Sequence, residues 1–164
     1  MSNPAMGLAN AAFDSGSALR AWLEAEGSLE ALESAEVSLR LAEFVALRDS
    51  VRELLEASIG GGPFPAAAVE HINEASARVP RVLRLEADGP CEAPFAAGPT
   101  PLILARVAWS AIELVGGADR ARLRRCGSCG RYFVSTRPDR LWCSYACGNR
   151  ARVARHHARR RAPA

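Results

Sequence analysis

The sequence contains no lysine, and apart from three histidines every basic residue is arginine. Coding bias accounts for that choice as well as phosphate chemistry does, so only the placement of the arginines carries weight. Aromatics are scarce too, with three tryptophans, two tyrosines and five phenylalanines. A core must then be packed mainly from aliphatic side chains and alanine, and the 49% hydrophobic content allows one of moderate size. No apolar run is long enough to cross a bilayer. Residues 1–16 lack a charged n-region and a long apolar stretch, so a cytoplasmic chain without membrane partners is expected. Chemistry is also missing. Gly60-Gly61-Gly62 follows a helical pattern and precedes Pro63, which is not a phosphate loop. His71 has no cysteine or paired carboxylates near it in the sequence, Cys91 is a lone thiol among prolines, and Glu24, Glu26, Glu30, Glu33 and Glu36 read as a solvated surface. No catalytic set emerges, and the chain is not expected to be an enzyme.

What is present is divided by charge. Residues 1–118 hold eight arginines against sixteen acidic residues, whereas residues 119–164 hold thirteen arginines against two aspartates. An acidic body with a basic end suggests an arm that meets a polyanion. Two parts follow, a body over 1–118 and a finger over 119–164, without a low-complexity linker between them.

The finger is organised by Cys126-Gly-Ser-Cys129 and Cys143-Ser-Tyr-Ala-Cys147. Gly127 and Gly130 relax the backbone around the first pair, so that both sulfurs can converge on one ion. The second pair is read at the start of a helix running from Cys143 to about Arg160, where positions i and i+4 share a face. Four thiolates close a tetrahedron around zinc and leave no open ligand position, so a single structural Zn²⁺ is expected. Disulfides would require an oxidising compartment. Between the pairs, residues 131–136 carry aromatic and β-branched side chains and Arg137-Pro-Asp-Arg140 reads as a turn, so a β-hairpin is expected there. Tyr132, Phe133 and Trp142 are expected to shield the metal. On the helix, Ala151, Ala154 and Ala158 continue the metal-facing arc, while Arg152, Arg155 and Arg159 face outward with Arg160 nearby and Arg150 and Arg161 on the flank.

Knuckle, hairpin and ligand-bearing helix give a treble-clef-like order. Cys147-Gly-Asn-Arg150 resembles the signature of the CGNR zinc finger, a bacterial module. The likeness extends to the aromatic after the first pair, to Arg140-Leu-Trp-Cys143 and to the basic run over 151–161. The first pair is spaced more tightly than is usual in that family, which the metal chemistry tolerates. The resemblance implies a helical N-terminal domain of the ABATE type and a role in bacterial transcription regulation.

The body reads as mainly α with a small β component. Residues 1–16 are read as poorly ordered or a partial strand, with Leu8-Ala-Asn10 nearest to the apolar segment ending in Asn that begins related domains. Ser17 is read as the cap of a short helix carrying Leu19, Trp22 and Leu23 and ending at Gly27. A long helix over 35–58 repeats Val37, Leu41, Phe44, Val51, Leu54 and Leu55. Pro65 opens a third, with Val69 and Ile72 inward. Residues 80–86 alternate as a strand, Asp88-Gly89 turns, and a weaker partner follows over 91–95. From Thr100-Pro101 a helix presents Leu104, Val107, Ala108, Ala111, Ile112 and Val115, until Gly116-Gly117 stops it. Asp119 is read as the cap of a short basic helix over 120–125.

These features lead to a DNA-binding regulator, with Arg150, Arg152, Arg155, Arg159, Arg160 and Arg161 as the contact set and the body as a sensing, dimerising or partner-binding domain. Two alternatives stand beside it. One is a structural or protein-interaction finger, since fold alone does not decide. The other is RNA binding, with Tyr132 and Tyr145 as stacking surfaces.

Overall fold

The computed structural model describes residues 3–26, 34–95 and 97–161, with side chains described except at 34–39 and 158–161. Gly27, Glu30 and Glu33 and the side chains of Glu36 and Val37 therefore lie outside the described residues.

The centre of the body is α5 (Pro99–Gly116), opened by proline in its first turn. Its buried stripe includes Ile103, Leu104, Val107, Ala108, Ala111, Leu114 and Val115. Ile112, expected on that stripe, is 40% exposed, although Ala105 and Ala108 on the same side of the helix nearer its start are fully buried. Against α5 pack α3 (Ser34–Gly60), through Phe44, Leu47, Val51, Leu54 and Leu55, and α4 (Ala66–Ala77), through Ala68, Ile72 and Ala75. Helix α2 (Gly16–Ala25) buries Leu19 and Leu23. Its Trp22 sits between Phe13 and Phe44, at centroid separations of 6.0 and 6.2 Å. The cap is Ser15, whose Oγ accepts from the Ala18 N–H, and not Ser17.

The N-terminal segment corrects the sequence reading. Residues 4–9 form a helix, α1 (Pro4–Ala9), with Asn3 as its cap and Pro4 at the first position. Its Ala5, Leu8 and Ala9 are buried in the main core. So short a helix has no independent stability. It holds because α3 takes up the carbonyls that follow it: Arg52 donates to Ala9 O and Ala11 O at 2.9 and 3.1 Å, and Arg48 donates to Phe13 O at 3.0 Å. Those donors lie thirty-five or more residues away, where local patterning cannot see them.

Strands β1 (Arg81–Glu86) and β2 (Gly89–Pro94) form an antiparallel hairpin, as their alternation and Asp88-Gly89 imply. After α5 comes a 3₁₀ turn over Ala118–Arg122, followed by β3 (Leu123–Arg125), where a helix was expected. Strand β3 pairs with β4 (Tyr132–Val134), and α6 (Tyr145–Arg161) ends the described chain. The second hairpin therefore wraps the first cysteine pair and does not lie between the two pairs. Its first strand is supplied by Leu123, a buried apolar residue within the basic run that had suggested a surface helix. Among the described residues, helices dominate and the two sheets have two strands each.

Candidate metal centre

Strands β3 and β4 end at Arg125 and begin again at Tyr132, so the six residues between them must reverse the chain. They do so by a backbone knuckle. The Cys126 N–H donates to Arg131 O and the Gly130 N–H donates to Cys126 O, both at 2.8 Å. Gly130 has φ of 74°, a left-handed conformation that side chains other than glycine's adopt at a cost. The knuckle presents Cys126, buried, and Cys129, exposed.

The second pair differs from the expected i, i+4 couple inside one helix. Cys143 precedes α6, and Ser144 caps it, its Oγ accepting from the Cys147 N–H at 3.2 Å. Cys147 stands in the first turn and is buried, while Cys143 is half-buried. The four Sγ atoms lie within 4.8 Å of one another, with Cys129–Cys143 at 3.5 Å and Cys143–Cys147 at 3.7 Å. A zinc ion with bonds of about 2.3 Å to four sulfurs requires a tetrahedron with edges of about 3.8 Å. The cluster has those dimensions and can hold one zinc ion.

The sulfurs are not electrostatically equivalent. Hydrogen bonding from Ser144, and next from Arg150, draws the Cys147 thiol down to about 6. Burial, and after it the neighbouring sulfurs, push the Cys143 thiol up to about 12. At Cys126 burial acts upward, but backbone N–H groups led by that of Cys143 outweigh it and lower the thiol. The four thiols therefore do not give up their protons equally. A bound divalent ion favours the thiolate at each of them.

The signature residues have separate tasks. Gly148 packs beside Trp142, and a Cβ there would stand 3.5 Å from the indole, an ordinary contact, so space does not demand glycine at this position. The Asn149 side-chain oxygen accepts from Arg152 at 2.8 Å. Arg150 turns back to the metal site and donates to Cys147 Sγ at 3.0 Å, so it braces a ligand. All three of Arg150, Arg152 and Arg155 are exposed, and the bond to sulfur is what sets Arg150 apart. Arg155 lies 5.8 Å from the Trp142 ring centroid. Helix α6 continues to Arg161, but the side chains of Arg159, Arg160 and Arg161 lie outside the described residues.

Two expectations about the surroundings are corrected. Tyr132 does not shield the metal. It belongs to the core of the body, is 8% exposed, and donates from its hydroxyl to Glu56 Oε1 at 2.7 Å. Phe133 and Trp142 remain half-buried beside the site, while of the two tyrosines named as stacking surfaces Tyr145 is 82% exposed and Tyr132 is buried. Ala154 is exposed, and beyond Ala151 the described contact of α6 with the finger is that of Arg155 with the Trp142 ring.

The lack of a linker allows the finger to pack on the body, and the residues that make the joint are ones the sequence did not single out for it. The Asn10 side chain pairs with the Tyr132 backbone as a neighbouring strand would. Its Nδ2 donates to Tyr132 O at 2.9 Å, and its Oδ1 accepts from Tyr132 N at 2.7 Å. Arg125 adds an ion pair to Glu56 at 3.2 Å, and Leu123 and Tyr132 enter the same buried cluster as α3 and α5. Asn10, at the end of Leu8-Ala-Asn10, was noted in the sequence for another reason and does not by itself signal this role. Of the remaining residues singled out, His71 pairs with Ser50 at 2.9 Å and Cys91 is a free thiol on β2.

Comparison with known families gives two matches. The ABATE family model, described as "putative stress-induced transcription regulator", matches residues 2–118. The model described as CGNR zinc finger matches residues 122–160. No curated protein matches the chain. No described helix is long and apolar enough to cross a membrane.

Proposed function

The chain belongs to the ABATE family and carries a CGNR zinc finger, and from that premise we propose that it is a DNA-binding transcription regulator, not an enzyme, whose contact element is α6. One observation carries the reading. Beyond its first two turns α6 is open to solvent on both faces, with Arg152, Val153, Ala154, Arg155, His156 and His157 all exposed. A helix so rich in arginine, with no apolar face to bury, has little reason to extend from the finger unless a polyanion receives it. Arg152 and Arg155 have no carboxylate partner among the described residues, and Arg159, Arg160 and Arg161 continue the run. A helix of this diameter fits the major groove of B-DNA.

In this reading zinc supplies structure. It fixes the first turn of α6 to the knuckle, and Arg150 orients Cys147 instead of reaching DNA. The hairpin, tied to Asn10 and Glu56, then sets the direction in which α6 leaves the body. The test is selection of bound fragments from genomic DNA by the zinc-loaded protein, with an RNA pool in parallel. Enrichment of duplex fragments supports the reading, and enrichment from the RNA pool alone overturns it.

A second reading rests on the joint itself. Because Tyr132 and Leu123 are part of the body's core, the finger could serve only to close that core. Under it, the selection recovers no nucleic acid of either kind, while removal of zinc still destabilises the body.

A further inference from the structure

The hairpin of the finger has a second face. Leu123 turns into the core of the body, so its neighbours Arg122 and Arg124 fall on the opposite side of the chain. There they border a cleft of about 260 Å³, together with Ser135, Thr136 and Arg137 from the segment after β4. No carboxylate lines it among the described residues. Of the two acidic residues of the finger, Asp119 pairs with Arg122 and Asp139 lies outside the lining.

The parts of the cleft are held in place. The Ser135 N–H donates to Arg122 O at 2.8 Å, which carries the ladder of β3 and β4 one step further. Ser135 is 2% exposed, and its hydroxyl donates to Arg137 O and accepts from the Arg137 N–H, which fixes the turn that follows. Arg124 Nη1 donates to Ala121 O and Leu123 O at 2.9 and 2.7 Å. One corner of a planar fork is thereby anchored, while Nε and Nη2 have no partner among the described residues. Arg137 is exposed, and its guanidinium has no partner among those residues either.

Size and charge select the guest. The volume is below the roughly 300–1,000 Å³ of sites that enclose organic ligands. It admits a phosphate group, whose oxygens suit the fork of an arginine. Position selects the source of that phosphate. Thr136 Oγ1 accepts from Arg140 at 3.5 Å, and Arg140 Nε donates to Trp142 O at 3.0 Å, in the segment that leads into α6. The Trp142 ring in turn lies 5.8 Å from Arg155 of α6. Two residues thus join the cleft to the exposed arginines of α6, so one duplex can span both. We propose that the cleft binds a backbone phosphate of the duplex whose groove receives α6, which rests on the reading of α6 as a DNA contact. A contact of this kind reads no base and fixes the orientation of the finger on the duplex.

The experiment is fluorescence anisotropy of the full zinc-loaded chain with a duplex of random sequence at several salt concentrations. The variants are Arg137→Ala and Arg124→Ala in the cleft, Arg152→Ala and Arg155→Ala on α6, and Arg106→Ala, which removes an exposed arginine from α5. Arg137→Ala and Arg124→Ala should each weaken binding several-fold and lower the slope of log affinity against log salt by about one unit. Arg106→Ala should keep the wild-type slope. Because Arg124 also holds two backbone carbonyls, Arg137→Ala decides. Its side chain has no partner to lose, and circular dichroism and zinc content should be unchanged. A slope kept in Arg137→Ala overturns the proposal, and α6 still stands if Arg152→Ala or Arg155→Ala lowers it in the same series. A slope lowered by Arg137→Ala and by neither substitution on α6 keeps the cleft and removes α6 as a contact. An equal loss in Arg106→Ala is an effect of overall charge and overturns the proposal. Wild-type protein that binds no duplex overturns both readings.

Discussion

Replacing Asn10 by Ala should destabilise the finger and the body together. Asn10 makes two hydrogen bonds to Tyr132, at 2.9 and 2.7 Å, across 122 positions of sequence. Each such bond contributes about 1 kcal/mol net, and an abandoned buried donor costs about 1–3 kcal/mol. Tyr132 is 8% exposed, so water does not readily replace the lost partner at its N–H. A loss of about 2–4 kcal/mol follows, which for a chain of this size lowers the melting temperature by about 5–15 °C. The assay is guanidinium unfolding of the zinc-loaded protein, with helix content followed by circular dichroism and zinc release by a chromophoric chelator. Both transitions should move to lower denaturant by the same amount. If zinc release shifts while the helical signal stays in place, the joint does not couple the two parts and the shared core is a contact without energetic weight.

Other outcomes follow from the same geometry. The chain should bind one zinc, lost on Cys→Ser at each of Cys126, Cys129, Cys143 and Cys147 and kept in Cys91→Ser, as metal analysis of purified variants can show. Arg150→Ala should speed zinc transfer to a chelator several-fold through loss of the bond to Cys147, with Arg152→Ala as the unaffected comparison. The Tyr132 hydroxyl, pushed up to about 12 by burial and next by Glu56, is held neutral by the fold. The stability it contributes is complete below its ordinary value of 10 and is lost as pH rises from there through about 12. Tyr132→Phe should cost about 1–3 kcal/mol at neutral pH and remove that alkaline component from denaturation curves. A pH dependence identical to wild type in this variant would refute the assignment.

The metal site was legible because its information is local. Two short-spaced cysteine pairs, a glycine able to turn at Gly130 and the run from Gly148 to Arg150 each determine structure within a few residues of themselves. The long helices were legible for a similar reason, since Phe44, Val51 and Leu55 repeat at the period of a helix. What escaped depends on partners far along the chain. Residues 4–9 carry a local start signal in Asn3-Pro4, but six residues hold as a helix only with burial in the core and with Arg48 and Arg52 of α3 securing the carbonyls at and after their end. Leu123 forms a strand because Val134 stands opposite, although its arginine neighbours suggested a surface helix. Tyr132 was assigned to the metal on proximity in sequence, whereas its ring was claimed by the larger core beneath it. Neither a lone asparagine at position 10 nor a single glutamate at 56 signals such a role when read in its own neighbourhood.

The most direct test of the central claim, that α6 is the nucleic-acid contact, is the salt dependence of duplex binding by the zinc-loaded chain. Fluorescence anisotropy should be measured at several salt concentrations for wild type, Arg152→Ala, Arg155→Ala and Arg150→Ala. The account predicts that the logarithm of affinity falls linearly with the logarithm of salt. Its slope should be reduced by about one unit for each of Arg152→Ala and Arg155→Ala that removes a phosphate contact, and left unchanged by Arg150→Ala once zinc is saturated. A wild-type protein with no salt-dependent binding to any duplex, or one whose slope survives both exposed substitutions, would contradict it.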